Sequence, residues 1–136
     1  MPMTAYLRKK LGDHSLGKAA YTMPTNVTLA LFKSSPTDAG LTTDEVTGGS
    51  YARLSIGASM GSFDLTTSIA TSTADINFAT PTADWGTVTH IGIMEVTISP
   101  DVANMLYYEA LPVTRSILSG SRPLQFQAGQ LRFLLT

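Results

Sequence analysis

Two histidines are the side chains of this sequence best suited to acid–base or metal chemistry, and their surroundings support neither. His14 follows Asp13 near the N-terminus and His90 sits within an apolar run. Neither has a second histidine or a carboxylate at metal-ligand spacing, so no His-x-His or His-x-x-x-His pattern arises. His90 reads as a packed or interface residue on a strand, and Asp13 with His14 as a helix-end cap or surface pair. Ser50 and Ser55 have no base beside them and no Gly-x-Ser-x-Gly elbow around them. Asp38, Asp44 and Glu45 share one loop but lack the spaced acidic ligands and glycine of a calcium loop. The other carboxylates, among them Asp64, Asp75, Asp84, Glu95 and Glu109, are scattered, so no acid/base pair can be named. Gly48 and Gly49 precede no helix with a lysine, which leaves a phosphate cradle without support. The sequence thus offers no catalytic residue, no metal site and no cofactor.

Binding chemistry is similarly bounded. Tyr51 near Arg53 and Phe133 beside Arg132 pair aromatic with basic groups, as base-stacking sites do. The net charge of −1 gives no drive toward nucleic acid or an anionic membrane. There are no cysteines, so disulfides and thiolate ligands are excluded. No apolar run approaches the roughly 20 residues needed to span a bilayer, and no secretory signal follows Arg8, Lys9 and Lys10. Charged residues make up only 14% of the chain and mean hydropathy is slightly positive. A surface so poor in charge suits contact faces in an assembly, and equally a Thr-rich β protein.

The only tryptophan, Trp85, lies in the corner Ala83-Asp84-Trp85-Gly86 between two β runs. It has a structural reading, plugging the end of a sandwich with its indole N–H on a loop carbonyl. It also has a functional one, as an interface anchor; the structural reading is preferred.

The elements that would position these residues are mostly strands. At 136 residues the chain can bury one core. Residues 4–11 form the one convincing helix, capped by Thr4, striped by Met3, Leu7 and Leu11, and ended by Gly12. A helix this short must dock on its own domain or on a neighbouring subunit. Residues 26–33 alternate Val27, Leu29 and Leu31 against Thr28, Ala30 and Phe32. Residues 34–49 read as a long exposed loop, 51–59 as a strand, and 64–73 as a possible edge strand. Ile76 and Phe78 make a short strand ending at Pro81. Residues 88–96 form a long one, with Ile91 and Ile93 opposite Val88, His90 and Met94. A turn at 99–101 follows, then strands at 104–111, 113–118, 124–127 and 131–135, with turns at 119–121 and 128–129. Short strands at roughly ten-residue spacing predict an all-β fold. The expected architecture is a single β-sandwich, jelly-roll or Ig-like, over residues 26–136, with a short N-terminal α-helix and arm over 1–25.

The order of several segments then carries a resemblance. Leu29-Ala30-Leu31-Phe32 leads into Ser35-Pro36-Thr37-Asp38, followed by Gly48-Gly49-Ser50-Tyr51-Ala52-Arg53 and Ile76-Asn77-Phe78. Next come the Trp85 corner running on through Val88-Thr89-His90-Ile91-Gly92-Ile93, then Leu106-Tyr107-Tyr108-Glu109-Ala110-Leu111 and Phe126-Gln127-Ala128-Gly129-Gln130-Leu131. In this order they resemble a family of small virion structural proteins of tailed bacteriophages. Its members are often labelled tail fibre protein, and related small proteins serve as head cement or decoration.

The resemblance implies a non-enzymatic component of the virion, made in the host bacterial cytoplasm and assembled on the particle surface. No heptads or repeats that could form a fibre shaft are visible, which favours a capsid cement protein present in many copies. Its partners would be the major capsid protein and neighbouring copies of itself, as trimer or dimer, with no nucleic acid and no membrane. The alternative is a tail or tail-fibre module binding a receptor or carbohydrate, with Tyr107, Tyr108 and Trp85 as an aromatic platform. Candidate interface residues are Leu7, Arg8, Lys9, Lys10 and Leu11 on the helix and Asp38, Asp44 and Glu45 in the loop. Candidate structural anchors are Trp85, Tyr51 and Phe126.

Overall fold

The computed structural model describes residues 1–96 and 104–134; the turn expected at 99–101 and the last residue of the final strand lie outside them. The N-terminal helix forms and outruns its expected end. Helix α1 spans Ala5–Ser15, with the Thr4 hydroxyl accepting from the Leu7 N–H at 3.4 Å. Gly12 stays inside the helix, at a cost of about 1 kcal/mol relative to Ala, and the Lys9–Asp13 ion pair spans it. The stop comes instead at Gly17, whose φ of +69° only glycine adopts readily. There the Gly17 N–H donates to the His14 carbonyl and the Lys18 N–H to the Asp13 carbonyl, closing a Schellman turn.

Eight strands follow among the described residues: β1 (Asn26–Phe32), β2 (Leu54–Ser55), β3 (Ile69–Thr71), β4 (Ile76–Asn77), β5 (Gly86–Val96), β6 (Met105–Ile117), β7 (Gln125–Phe126) and β8 (Arg132–Leu134). All pair antiparallel. One layer is a four-stranded sheet in the order β2-β1-β5-β6; β3-β8 and β4-β7 are two-stranded ribbons. This is an all-β sandwich with one short helix, as the strand pattern predicts.

The core lies where the sheet meets the ribbons. Leu29, Leu31, Val88, Ile91 and Ile93 pack with Ala70, Ile76, Phe78, Leu131 and Phe133. A second, smaller cluster holds Ala30, Phe32, Met94 and Met105. The alternation in β1 therefore serves two cores, one for each side of the strand. Burying this much aliphatic and aromatic surface, at ≈ 25 cal/mol per Å², is the main force holding the layers together.

Four details depart from the sequence pattern. Val88 joins Ile91 and Ile93 in the main core rather than facing away from them. The cause is a register break in the β5–β6 pairing: Val88 pairs with Arg115, but His90 pairs with Ala110. Residues 111–114 of β6 thus stand opposite Thr89 alone, an excess of three residues, and the bulge re-aims the side chains around it. The same break lets one long β6 run through Pro112, where two strands were expected. Pro112 is tolerated because β6 is an edge strand and the ladder is already interrupted. The 51–59 segment shrinks to β2 plus one 3₁₀ turn, Gly57–Ser59. Finally, the 34–49 loop is not wholly exposed: Pro36 and Val46 are buried, and the Val46 N–H donates to the Leu31 carbonyl.

Both edges of the large sheet are protected against pairing with other chains. β2 is only two residues long. Along β6, the N-terminal residues lie as a short cover, with Met3 bridged to Tyr107, the Thr4 N–H on the Leu106 carbonyl and the Tyr108 N–H on the Pro2 carbonyl. No helix among the described residues is long and apolar enough to cross a membrane.

Candidate functional site

Three places gather the polar and aromatic residues of the chain. The first is the tryptophan corner. Trp85 is 3% exposed and lies edge-on to Tyr51 (centroids 5.4 Å apart, 80°) and Phe78 (6.3 Å, 77°), in the T-shaped geometry aromatic pairs prefer. Its Nε1–H donates to the Gly49 carbonyl at 2.9 Å, and the same carbonyl accepts from the Thr82 N–H at 3.0 Å. Around the corner, the Trp85 N–H donates to the Ile117 carbonyl and the Asp84 carboxylate accepts from the Ser119 N–H at 2.8 Å. Tyr51 continues the network outward: its hydroxyl donates to Glu45 Oε1 (2.9 Å) and accepts from the Leu31 N–H (3.0 Å). Arg53 grips the same Glu45 carboxylate with two hydrogen bonds, at 2.8 and 2.7 Å. Burial pushes the Tyr51 hydroxyl well above its ordinary pKa, with the Glu45 carboxylate acting in the same direction. Phe126, on β7, packs half-buried against the main core.

Gly49 shows how tight this corner is. Its φ is +58°, and a Cβ there would lie 2.8 Å from Trp85 Nε1 and 2.9 Å from the Ala83 carbonyl oxygen. Gly48 is also left-handed, at +75°, but a Cβ there would meet open space. Gly49→Ala should therefore destabilise the fold by about 3 kcal/mol, combining backbone strain with overpacking, and Gly48→Ala by about 1 kcal/mol from strain alone. Urea denaturation of the two variants checks the order, and equal losses would refute the steric account.

The second place is the seat of the N-terminal helix. Of the two docking partners open to it, α1 lies on its own sheet, along β6. Thr4 is buried and its hydroxyl donates to the Met105 carbonyl at 2.6 Å. Leu7, expected at an interface, is 3% exposed and packed inside this chain. Arg8 and Asp38 form a bidentate pair at 2.8 and 2.6 Å, joining the helix to the 34–49 loop. Each holds the other charged: the Arg8 guanidinium keeps the Asp38 carboxyl below the usual carboxylate range. Lys9 pairs with Asp13, the Lys10 ammonium lies 5.5 Å from the Tyr6 ring centre, and Leu11 is half-buried. Asp44 is exposed and accepts from the Ser34 hydroxyl, while Glu45 is occupied by Tyr51 and Arg53. Of the proposed interface residues, then, the fold joins Arg8 with Asp38, keeps Leu7 and Glu45 for itself, and leaves Lys10 and Asp44 facing outward.

Beneath the helix sits a group that sequence reading missed. Glu95 on β5 is 2% exposed and accepts from the Tyr6 hydroxyl (2.5 Å), the Tyr21 hydroxyl (2.8 Å) and the Asn104 amide (3.2 Å). It makes no ion pair among the described residues. Its partners lie 89, 74 and 9 residues away in sequence, so no local pattern could reveal it. Burial first, then the adjacent carboxylate, raises the Tyr6 hydroxyl to about 12, and the same causes raise Tyr21 further. Tyr107 is raised by burial alone.

A raised tyrosine pKa means that the neutral form is favoured in the folded state. The stability from Tyr6, Tyr21 and Tyr51 is thus complete below the unfolded tyrosine pKa of about 10 and is lost as pH climbs through the folded values. The protein should be insensitive to pH between 7 and 9 and unfold cooperatively around pH 11–12. Absorbance of tyrosinate followed against circular dichroism tests this; ionisation of these tyrosines near pH 10 without unfolding would contradict it.

The third place is a cleft of about 460 Å³ opened by the β6 bulge. One wall is β6 from Glu109 to Arg115 and the other is the chain from Leu124 to Arg132, with Phe126 between. The aromatic platform expected from Tyr107, Tyr108 and Trp85 does not form. Trp85 is buried, and the neighbours Tyr107 and Tyr108 pack with different cores, Tyr107 tilted on Phe133 at 5.2 Å. With Tyr51 and Phe133 both inside the fold, the aromatic–basic pairs offer no open stacking face either. Among the described residues no three His, Asp or Glu side chains converge as a metal site would require.

No curated protein matches the chain. A family model described as "Podophage GP4 fiber I protein gp80" matches residues 2–133, covering the helix, the tryptophan corner and both walls of the cleft. The chain therefore belongs to the podophage GP4 fiber I protein family, and so to the small structural proteins of tailed-phage virions that its segments resemble.

Proposed function

We propose that this protein is a subunit of a phage tail fibre, acting through its surfaces on neighbouring subunits rather than through bond-making chemistry. The observation that carries this is the family match over residues 2–133, on a domain whose polar clusters are all occupied in holding the fold or line an open cleft. A surface low in charge supports it further. Leu16, Met23, Leu65 and Val113 are each more than two-thirds exposed, the kind of apolar contact that assembly can cover. The subunit would associate with its own copies, as trimer or dimer, and with other tail proteins.

Head cement is the second reading, favoured by one observation: the described residues contain no coil or repeat that could extend as a shaft. In that case the partner is the major capsid protein. The two readings place the protein differently on the particle and in different numbers. Gold-labelled antibody on purified virions, with densitometry against the major capsid protein, separates them. Label on the tail at a handful of copies is expected; label over the head at hundreds of copies would replace the fibre reading with the cement reading.

A further inference from the structure

We propose that the cleft at the β6 bulge binds an acidic saccharide. Its volume of about 460 Å³ falls within the roughly 300–1,000 Å³ of small-ligand sites, and bulges commonly re-aim side chains at such places. Arg115 and Arg132 line opposite walls, both exposed, and neither makes an ion pair among the described residues. A guanidinium fork matches a carboxylate in planar, bidentate fashion.

The rest of the lining suits hydroxyl groups. Gln130 Oε1 accepts from the Gln127 N–H at 2.6 Å, which fixes the amide and leaves its NH₂ as a donor. Gln125 turns its NH₂ toward Asp75, leaving its oxygen as an acceptor. Glu109 adds a carboxylate acceptor, and half-buried Phe126 supplies an apolar face for the C–H groups of a sugar ring. Donors, acceptors and a ring face around two cations describe a polyhydroxylated ligand carrying carboxylates. An acidic peptide strand fits less well, because Pro112 lacks an N–H and the bulge breaks the ladder such a strand would extend.

This proposal rests on the fibre reading only for where the ligand would be met. Binding and virion placement are read by separate experiments, so either can fail alone. The test is titration of the ¹⁵N-labelled full chain with tetragalacturonate, with maltotetraose as the neutral sugar and hexaglutamate as the acidic peptide. Tetragalacturonate should shift backbone amides on both walls, residues 109–115 and 124–132, together with the Gln130 side-chain amide. Arg115→Ala and Arg132→Ala, both at exposed positions, should each weaken binding about tenfold while leaving the rest of the spectrum in place. Arg115→Lys, which keeps the charge and loses the fork, should fall between Arg115→Ala and the native chain. Absence of shifts at the cleft at millimolar tetragalacturonate overturns the proposal. So does equal affinity for maltotetraose, which would remove the acidic requirement, or for hexaglutamate, which would make the cleft a peptide site.

Discussion

Trp85→Ala is expected to lower the unfolding free energy by about 4 kcal/mol, near the middle of the range for deleting a buried large aromatic. Two losses combine. The cavity left by the indole removes the shared packing of Tyr51 and Phe78, whose edge-on contacts with Trp85 are worth roughly 0.5–1.5 kcal/mol each beyond area. The Gly49 carbonyl loses one of its two donors, a further ~1 kcal/mol. Against a total stability on the order of 5–15 kcal/mol, this is enough to leave the domain marginal. The thermal midpoint should fall by on the order of 10–15 °C, measured by circular dichroism since the variant has no tryptophan to report. Trp85→Phe keeps a ring and loses the N–H, so it should cost about half as much; equal damage from both would mean that the hydrogen bond, not packing, dominates. A loss below 1 kcal/mol for the alanine variant would show that the corner is not a structural anchor.

Glu95→Ala is the second large effect, about 3 kcal/mol, and its sign needs weighing. A buried carboxylate without a cation is costly to desolvate, so removing it relieves a penalty. Three donors offset that penalty in the native state, each worth about 1.5–3 kcal/mol when the acceptor is charged. Alanine removes the acceptor and strands two tyrosine hydroxyls and an amide in a partly buried site, so the net is a loss. Glu95→Gln should cost only about 1 kcal/mol, because a tyrosine hydroxyl can turn and accept from the new NH₂. The damage should also be local first: with Tyr6 and Tyr21 released, trypsin should cut after Lys9, Lys10 and Lys18 faster than in the native protein. Unchanged proteolysis in Glu95→Ala would show that other contacts hold the helix.

These two sites differ in how far the sequence announces them. The tryptophan corner is legible because it is local: turn residues flank one large aromatic, and strands with clear alternation enter and leave it. Thr4 as a cap is legible for the same reason. The β5–β6 bulge is not, since a register break leaves no mark on either strand's own pattern; Val88 is consequently placed on the wrong side by simple alternation. Pro112 misleads in the same way, marking a strand end unless the strand is known to lie at an edge. Gly12 carries a weak stop signal that the Schellman turn at Gly17 overrides. Glu95 is the extreme case, a charge on a strand whose burial depends on two tyrosines brought from the other end of the chain.

The pairing of the N-terminal residues with β6 has a consequence for how each copy is made. Thr4 bonds to Met105, 101 residues further on. At roughly 5–20 residues per second, translation leaves the helix waiting some 5–20 s for its seat. During that interval Leu7 is uncovered, and the edge of β6 does not yet exist to be closed. Only a chain synthesised through β6 can bury the one and shield the other, so the first element translated is among the last to be seated.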